Sequence, residues 1–143
     1  MLLRPNRTKF NKSRRGRLSG PLSSFRLTKN GRFALIAQES VLLTAHQIES
    51  TRQVINRYLK RKGKIWICAF PDLPITSKPT EVRMGKGKGA VKEWVCRVRR
   101  GKVLFEVDGV ADQSILEAFH AARKKLPLKT LIFKNSWKSP LKV

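Results

Sequence analysis

Residues 85–89 read Gly-Lys-Gly-Lys-Gly, the stretch of this chain best suited to meeting an anion. Three glycines let a backbone approach a phosphate closely and turn where a side chain would clash. Lys86 and Lys88 add compact point charges, and Arg83 and Lys92 flank them. A loop of this kind can enter a narrow crevice in folded RNA. It is not a nucleotide-binding P-loop, which needs Gly-Lys-Ser/Thr opening a helix. Here Ala90 follows Gly89, and Val91 to Val95 reads as a strand. A solvated flexible loop is the plain alternative.

Nothing else in the chain has the spacing of a catalytic or metal site. The nine acids are scattered, and no two form an acid–base pair by spacing. His46 and His120 fall on predicted helices, His46 on an exposed face, and no Ser or Cys stands beside a base to make a nucleophile. Cys68 and Cys96 lack a second Cys or His at zinc-ligand spacing. They read as small buried hydrophobes in a reducing compartment. No cofactor and no catalysis are expected. A magnesium-dependent nuclease would need clustered carboxylates, which this sequence does not have.

The charge balance points the same way as the loop. The chain has 143 residues, with 32 Lys and Arg against nine Asp and Glu, a formal +23. Such an excess repels itself unless a polyanion neutralises it. Residues 1–38 carry ten of the basic residues and no acid, the first acid being Glu39. Arg4, Arg7, Lys9, Lys12, Arg14, Arg15 and Arg17 make this amino-terminal stretch an RNA-binding arm that cannot fold alone. Two readings compete. An Arg-rich, acid-free amino terminus also resembles a transit peptide, and an anionic membrane could take the place of nucleic acid. A membrane span is not expected: the longest apolar run is Ile65 to Phe70, against the roughly 20 residues a spanning helix needs. A free nucleic-acid chaperone or compacting protein would share the same charge.

The elements that must hold these segments follow from periodicity. A strand is expected over 33–41. A helix opens at Thr44 as N-cap, with Gln47 completing a capping box, and runs to about Lys62 before Gly63. Ala45, Ile48, Thr51, Ile55 and Leu59 form its apolar stripe, with Tyr58 at the edge. Arg57, Lys60 and Arg61 fall away from that stripe, as RNA contacts or as a solvated face. Lys64 to Phe70 is apolar on both faces and reads as a central strand. Pro71, Pro74 and Pro79 hold the next stretch extended, and 81–83 reads as a short strand. Residues 92–99 and 102–108 alternate about Arg100-Gly101 and read as a hairpin. A second helix spans about 112–125, with Ile115, Phe119, Ala122 and Leu126 inward, and Pro127 stops it. Residues 129–133 make the last strand. Trp66, Trp94 and Phe105 read as core, and Trp137 as the aromatic best placed to stack on a base. The order predicts an α+β fold: a two-layer sandwich of an antiparallel or mixed sheet with two helices. The parts are the arm, 1–32, a core domain, 33–133, and a basic tail, 134–143. Neither a helix-turn-helix nor an RNP1 pattern is present.

Several segments together resemble one family. Arg4-Pro5-Asn6-Arg7-Thr8-Lys9-Phe10 and Arg15-Gly16-Arg17 are similar to the opening of the sixteenth large-subunit ribosomal protein of bacteria and organelles. So are LTAHQIE at 43–49, GKIWICAFPDLPIT at 63–76, KPTEVRMGKGKGAVKEWV at 78–95, GKVLFEVDGV at 101–110 and LPLKTLIF at 126–133. The resemblance covers residues 1–17 and 42–133. It implies a two-layer α+β fold on large-subunit ribosomal RNA near the aminoacyl-tRNA site, with a basic loop toward the peptidyl-transferase region and a part in subunit maturation. The implied partners are ribosomal RNA, aminoacyl-site tRNA and neighbouring large-subunit proteins. Carried over, Arg83, Lys86 and Lys88 become loop contacts, and Arg4, Arg7, Lys9 and Arg17 arm contacts. The RNA, not the protein, would carry the chemistry.

Because the resemblance begins at the chain's start, the arm is expected to be mature sequence. Residues 18–41 match poorly, and His46 and Cys68 stand where the family usually has Arg. This drift, with Asp72-Leu73-Pro74 and Glu81-Val82-Arg83, points to an organellar ribosome, mitochondrial before chloroplast, with the bacterial cytoplasm as the alternative.

Overall fold

Thr44 starts the first helix as its side chain allows. Its hydroxyl accepts from the Gln47 backbone N–H at 3.2 Å, and the Gln47 side chain accepts from the Thr44 N–H at 3.0 Å. In the computed structural model, which describes residues 3–18, 20 and 28–135, this helix is α1 (Ala45–Tyr58). It is preceded by β1 (Phe33–Ala37) and β2 (Val41–Thr44). After it come β3 (Lys64–Ile67), β4 (Leu73–Ser77), β5 (Ala90–Val98), β6 (Val103–Asp108), α2 (Asp112–Arg123) and β7 (Thr130–Lys134). Trp137 and the rest of 136–143 lie outside the described residues, as do 19 and 21–27.

The strands form two sheets, both antiparallel: β3-β6-β1-β7 and β2-β5-β4. The helices pack on each other. Ile48, Ile55 and Leu59 of the first helix region join Ile115, Ala118, Phe119 and Ala122 of the second. Together with Phe33, Leu35, Leu43, Cys96, Val98, Phe105 and Val107 they make one buried cluster. The α+β reading holds, with the sheet layer split in two.

That split corrects two expectations. The strand read over 33–41 is two strands in different sheets, because Gln38, Glu39 and Ser40 are exposed and carry the chain across. The hairpin read over 92–108 does not form. β5 pairs with β2 and β4, whereas β6 pairs with β1 and β3. The turn between them is tied to β1 instead: Gly101, at φ +89°, donates to the Ala37 carbonyl at 2.8 Å, and Ala37 donates to Lys102 at 2.9 Å. Alternation gives a strand's period but not its partner. Leu104, Phe105, Glu106 and Val107 are all buried, which suits the interior of the larger sheet.

Four smaller corrections follow. β3 is an edge strand beside β6, with Ile65, Trp66 and Ile67 half-buried, not a central one. Trp94 is likewise half-buried, while Phe105 is fully enclosed. Leu73–Ser77 forms a strand with Pro74 opposite Trp94; an edge position tolerates the proline's missing N–H. Residues 81–83 form no strand and are exposed.

Helix α1 ends at Tyr58, short of Lys62. Lys60 and Arg61 turn left-handed at φ +49° and +62°, and the Arg61 N–H reaches back to the Asn56 carbonyl at 3.2 Å. Gly63 is therefore not the helix stop. A Cβ there would stand 2.9 Å from the Val110 side chain and 3.2 Å from the Asp108 carbonyl oxygen, so glycine lets this segment lie against the turn after β6.

Glu106 is the least expected core residue, 3% exposed on a central strand. Its carboxylate accepts the backbone N–H groups of Lys29 at 3.1 Å, Asn30 at 2.7 Å and Gly31 at 2.9 Å. Gly31 comes so close to β6 that a Cβ would stand 2.8 Å from the Val107 backbone N and O. Arg32 completes the anchor, donating to Asp108 at 2.7 Å and to the Val110 carbonyl at 3.0 Å. Cys68 is exposed as a residue, unlike Cys96, but its thiol lies 3.8 Å from Glu106. Partial burial, then that carboxylate, pushes the thiol pKa up to about 11.

Two outcomes follow. Glu106→Gln, which sets an NH₂ among three donors, should lower stability by roughly 2 kcal/mol. Thermal melting checks this, and an unchanged melting temperature would count against the anchor. Cys68 should alkylate with iodoacetamide far more slowly at pH 8 than a free thiol, because only the thiolate reacts. Its rate should climb until the pH passes about 11; a plateau near pH 8.5 would contradict the assignment.

Candidate nucleic-acid interface

The basic loop is the connection between β4 and β5, which pair antiparallel so that its two ends meet. Its glycines differ in kind. At Gly89 a Cβ would collide with the Ser77 carbonyl, so glycine closes the loop's root. At Gly87 a Cβ would meet nothing within 4 Å, and at Gly85 only the Arg83 carbonyl oxygen at 4.0 Å. No packing within the described residues requires glycine at those two positions. Lys78 braces the loop by donating to the Gly85 carbonyl at 2.6 Å. Val82, Arg83, Met84, Lys86 and Lys88 are exposed.

The arm, residues 3–18, has no helix or strand. It meets the loop through a reciprocal pair of hydrogen bonds. Lys12 Nζ donates to the Lys88 carbonyl at 2.9 Å, and Lys88 Nζ donates to the Ser13 carbonyl at 2.7 Å. Arg4, Asn11 and Lys12 line a groove of about 480 Å³ with Ala90, Lys92 and Trp94 of β5. Further on, Gly16 turns at φ +68°, where a Cβ would lie 3.6 Å from Arg97. Arg15, Gly16 and Leu18 face Val41 and Leu42 of β2 across a second groove.

The structure therefore brings Arg4, Lys12, Lys88 and Lys92 together. Arg7, Lys9, Arg14, Arg15 and Arg17 extend the same exposed arm, Lys9 standing 5.6 Å from the ring centroid of exposed Phe10. Arg83 and Lys86 share the loop. Arg57, Lys60 and Arg61 stand apart, lining a hollow with Gln53 and Asn56 that no arm or loop residue borders. Sequence reasoning passed over Lys78 and Arg97. Arg97 was detectable as a cation at an outward position of an alternating strand; the brace from Lys78 had no such sign.

Several of the acids are occupied elsewhere. Asp108 and Asp112 pair with Arg32, Asp112 also with Lys134, Glu49 with Arg52 and Glu39 with Lys129. The Lys134 hydrogen bond holds the Asp112 carboxyl below its ordinary pKa, and the Arg52 hydrogen bond does the same for Glu49. No carboxylate of the described residues makes an ion pair with the cations of residues 3–18 or with Arg83, Lys86, Lys88 or Lys92. Such a surface attracts anions over several ångströms. Among the described residues no group of His, Cys, Asp and Glu could hold a metal ion, and no helix is long and apolar enough to cross a membrane.

Comparison with known proteins gives the family. The family model described as ribosomal protein L16p/L10e matches residues 5–133. The large ribosomal subunit protein uL16 of Chelativorans sp. (strain BNC1) is 50% identical over 129 residues, 90% of this chain and 94% of its own length. The protein of the same name from Cereibacter sphaeroides (strain ATCC 17029 / ATH 2.4.9) is 46% identical over 137 residues, 95% of this chain and 100% of its own. That of Thioalkalivibrio sulfidiphilus (strain HL-EbGR7) is 50% identical over 129 residues, 90% and 94% respectively. On a match that spans arm, loop and core alike, the chain belongs to the ribosomal protein L16p/L10e family.

Proposed function

We propose that this chain docks on large-subunit ribosomal RNA through its joined arm and loop, and that it supports the placement of tRNA in the aminoacyl site and the assembly of the subunit. As a member of the L16p/L10e family it is a structural constituent of the large ribosomal subunit and not an enzyme. The observation that carries the docking reading is the pair of hydrogen bonds from Lys12 to the Lys88 carbonyl and from Lys88 to the Ser13 carbonyl, which holds two basic segments side by side. That arrangement is unfavourable alone and favourable on a polyanion. In this reading Arg4, Arg7, Lys9, Lys12, Arg14, Arg15 and Arg17 follow phosphates along the arm. Arg83, Lys86, Lys88 and Lys92 serve the loop, whose Gly85 and Gly87 leave room for a close backbone. Neighbouring large-subunit proteins complete the partners.

The chain's drift at His46 and Cys68 supports a mitochondrial ribosome; the bacterial cytoplasm is the second reading, since the relatives named above come from bacteria. A free nucleic-acid chaperone is separated from both by sedimentation. Tagged protein should travel with the large subunit on a sucrose gradient, and recovery only at the top would sink the ribosomal assignment for this chain.

Lys86→Ala/Lys88→Ala should leave thermal stability within about 0.5 kcal/mol, as expected of exposed side chains, while weakening incorporation into subunits. Wild-type polysomes and growth in that variant would remove the loop from the account. Gly85→Val and Gly87→Val should keep the fold and impair incorporation, whereas Gly89→Ala should lower the melting temperature through its clash with β4. Equal melting losses at all three glycines would contradict the division of roles.

A further inference from the structure

The larger sheet ends at β7, and the hydrogen-bond pattern shows which of its backbone groups face outward. Gln38 donates to the Lys129 carbonyl at 2.9 Å, and Asn135 donates to the Arg32 carbonyl at 2.7 Å. Directly bonded pairs recur at every second residue of an antiparallel ladder. Leu131, opposite Ile36, therefore also turns its N–H and C=O toward β1. Thr130, Ile132 and Lys134 turn theirs away from it. Among the described residues no strand lies on that side. An open edge of this kind is a template for one more strand.

Beside that edge runs a groove of about 490 Å³, lined by Leu116, His120 and Arg123 of α2 and by Thr130, Leu131 and Ile132 of β7. Its apolar part is open: Leu116 is 38% exposed and Leu131 46%. Thr130 is 2% exposed, and its hydroxyl oxygen has no hydrogen-bond partner among the described residues. A buried polar atom left without a partner is rare. His120 and Arg123 are exposed, and Arg123 makes no ion pair among the described residues. Asp112, at the other end of α2, is already held by Lys134 at 2.7 Å and by Arg32 at 3.5 Å. The groove therefore offers an unmatched cation, an apolar wall and a strand edge together.

Those three features select the occupant. Phosphates accept hydrogen bonds but do not donate them, so a phosphodiester backbone would leave the edge carbonyls unmet and the leucines bare. A second copy of this chain would bring a formal +23 toward Arg123, which like charge disfavours. An extended polypeptide that carries acidic and apolar residues meets all three. Its backbone pairs with Ile132 and Lys134, its apolar side chains lie on Leu116 and Leu131, and a carboxylate meets Arg123. We propose that the outer edge of β7 and the α2 groove take such a segment from a neighbouring large-subunit protein, added to the four-stranded sheet as a further strand. No arm or loop residue lines this groove, so the protein partner and the RNA use different faces. This rests on the ribosomal reading above and assigns the surface for one of its protein partners.

The test uses the full chain in gradient-purified large subunits, with the photoreactive residue benzoylphenylalanine in place of exposed Leu131. Illumination should join it to a protein, and mass spectrometry of the joined peptide should place the bond in a stretch that carries Asp or Glu. Arg123→Glu should lower the crosslink yield per incorporated copy by about fivefold, because a carboxylate there repels the segment. Hydrogen exchange over residues 130–134 should be slower in the subunit than in the free chain, as strand pairing requires. A bond to RNA, to a second copy of this chain or to nothing would overturn the proposal and leave the ribosomal reading intact. So would a crosslink yield indifferent to Arg123→Glu, or exchange over 130–134 that stays at the free-chain rate. Absence of the wild-type chain from large subunits would overturn both readings.

Discussion

One buried carboxylate joins the two halves of this molecule. Glu106 sits in the middle of the larger sheet, yet its oxygens are filled by the N–H groups of residues 29–31, the root of the amino-terminal segment. A carboxylate taken out of water at a cost of several kcal/mol is tolerable only with such partners. A backbone segment that enters a sheet's face needs acceptors for its own N–H groups. Each requirement is met by the other. Arg32 then crosses to Asp108 and Val110, so the chain enters β1 in a set direction. Whatever the arm does outside, it starts from a fixed point.

The charges are sorted around that point. Asp108, Asp112, Glu49 and Glu39 all pair within the core and its surface, residues 3–18 and the end of α1 carry only basic charges, and the loop sets Lys78, Arg83, Lys86 and Lys88 against the single acid Glu81. The core thus uses up much of the negative charge close to home. The excess lies on the segments with least regular structure, where long cationic side chains can adapt to a phosphate backbone. The more exposed of these pairs, Glu39 with Lys129 and Asp112 with Lys134, add little to stability. Their larger consequence is to keep carboxylates away from the basic surface.

Glycine plays two physical roles here. Gly31, Gly63 and Gly89 stand where a Cβ would strike a neighbouring backbone or side chain, so they belong to the fold. Gly85 and Gly87 stand in open space. The motif looks uniform in sequence, but its last residue secures the loop to β4 while the first two leave the tip slim. The reverse case appears at Lys60 and Arg61, where glycine would suit the backbone and charged residues stand instead.

The sequence by itself determined the two helices, the Thr44 cap, the inward stripes of both helices, the irregular basic loop and the acid-free arm. Each depends on residues close together along the chain, through side-chain period, capping chemistry or charge. Only the tertiary structure decided which strands pair. The stretches 92–99 and 102–108 alternate as hairpin strands do, but burial on both faces of β6 sends it to a different sheet. Likewise, nothing local shows that Glu106 receives residues 29–31, that Lys12 meets Lys88, or that Gly63 packs against a turn and does not stop a helix. Those contacts join residues some 45 to 77 positions apart. Their partners are chosen by steric fit and by the need to satisfy buried polar groups, and neither leaves a periodic trace in the chain.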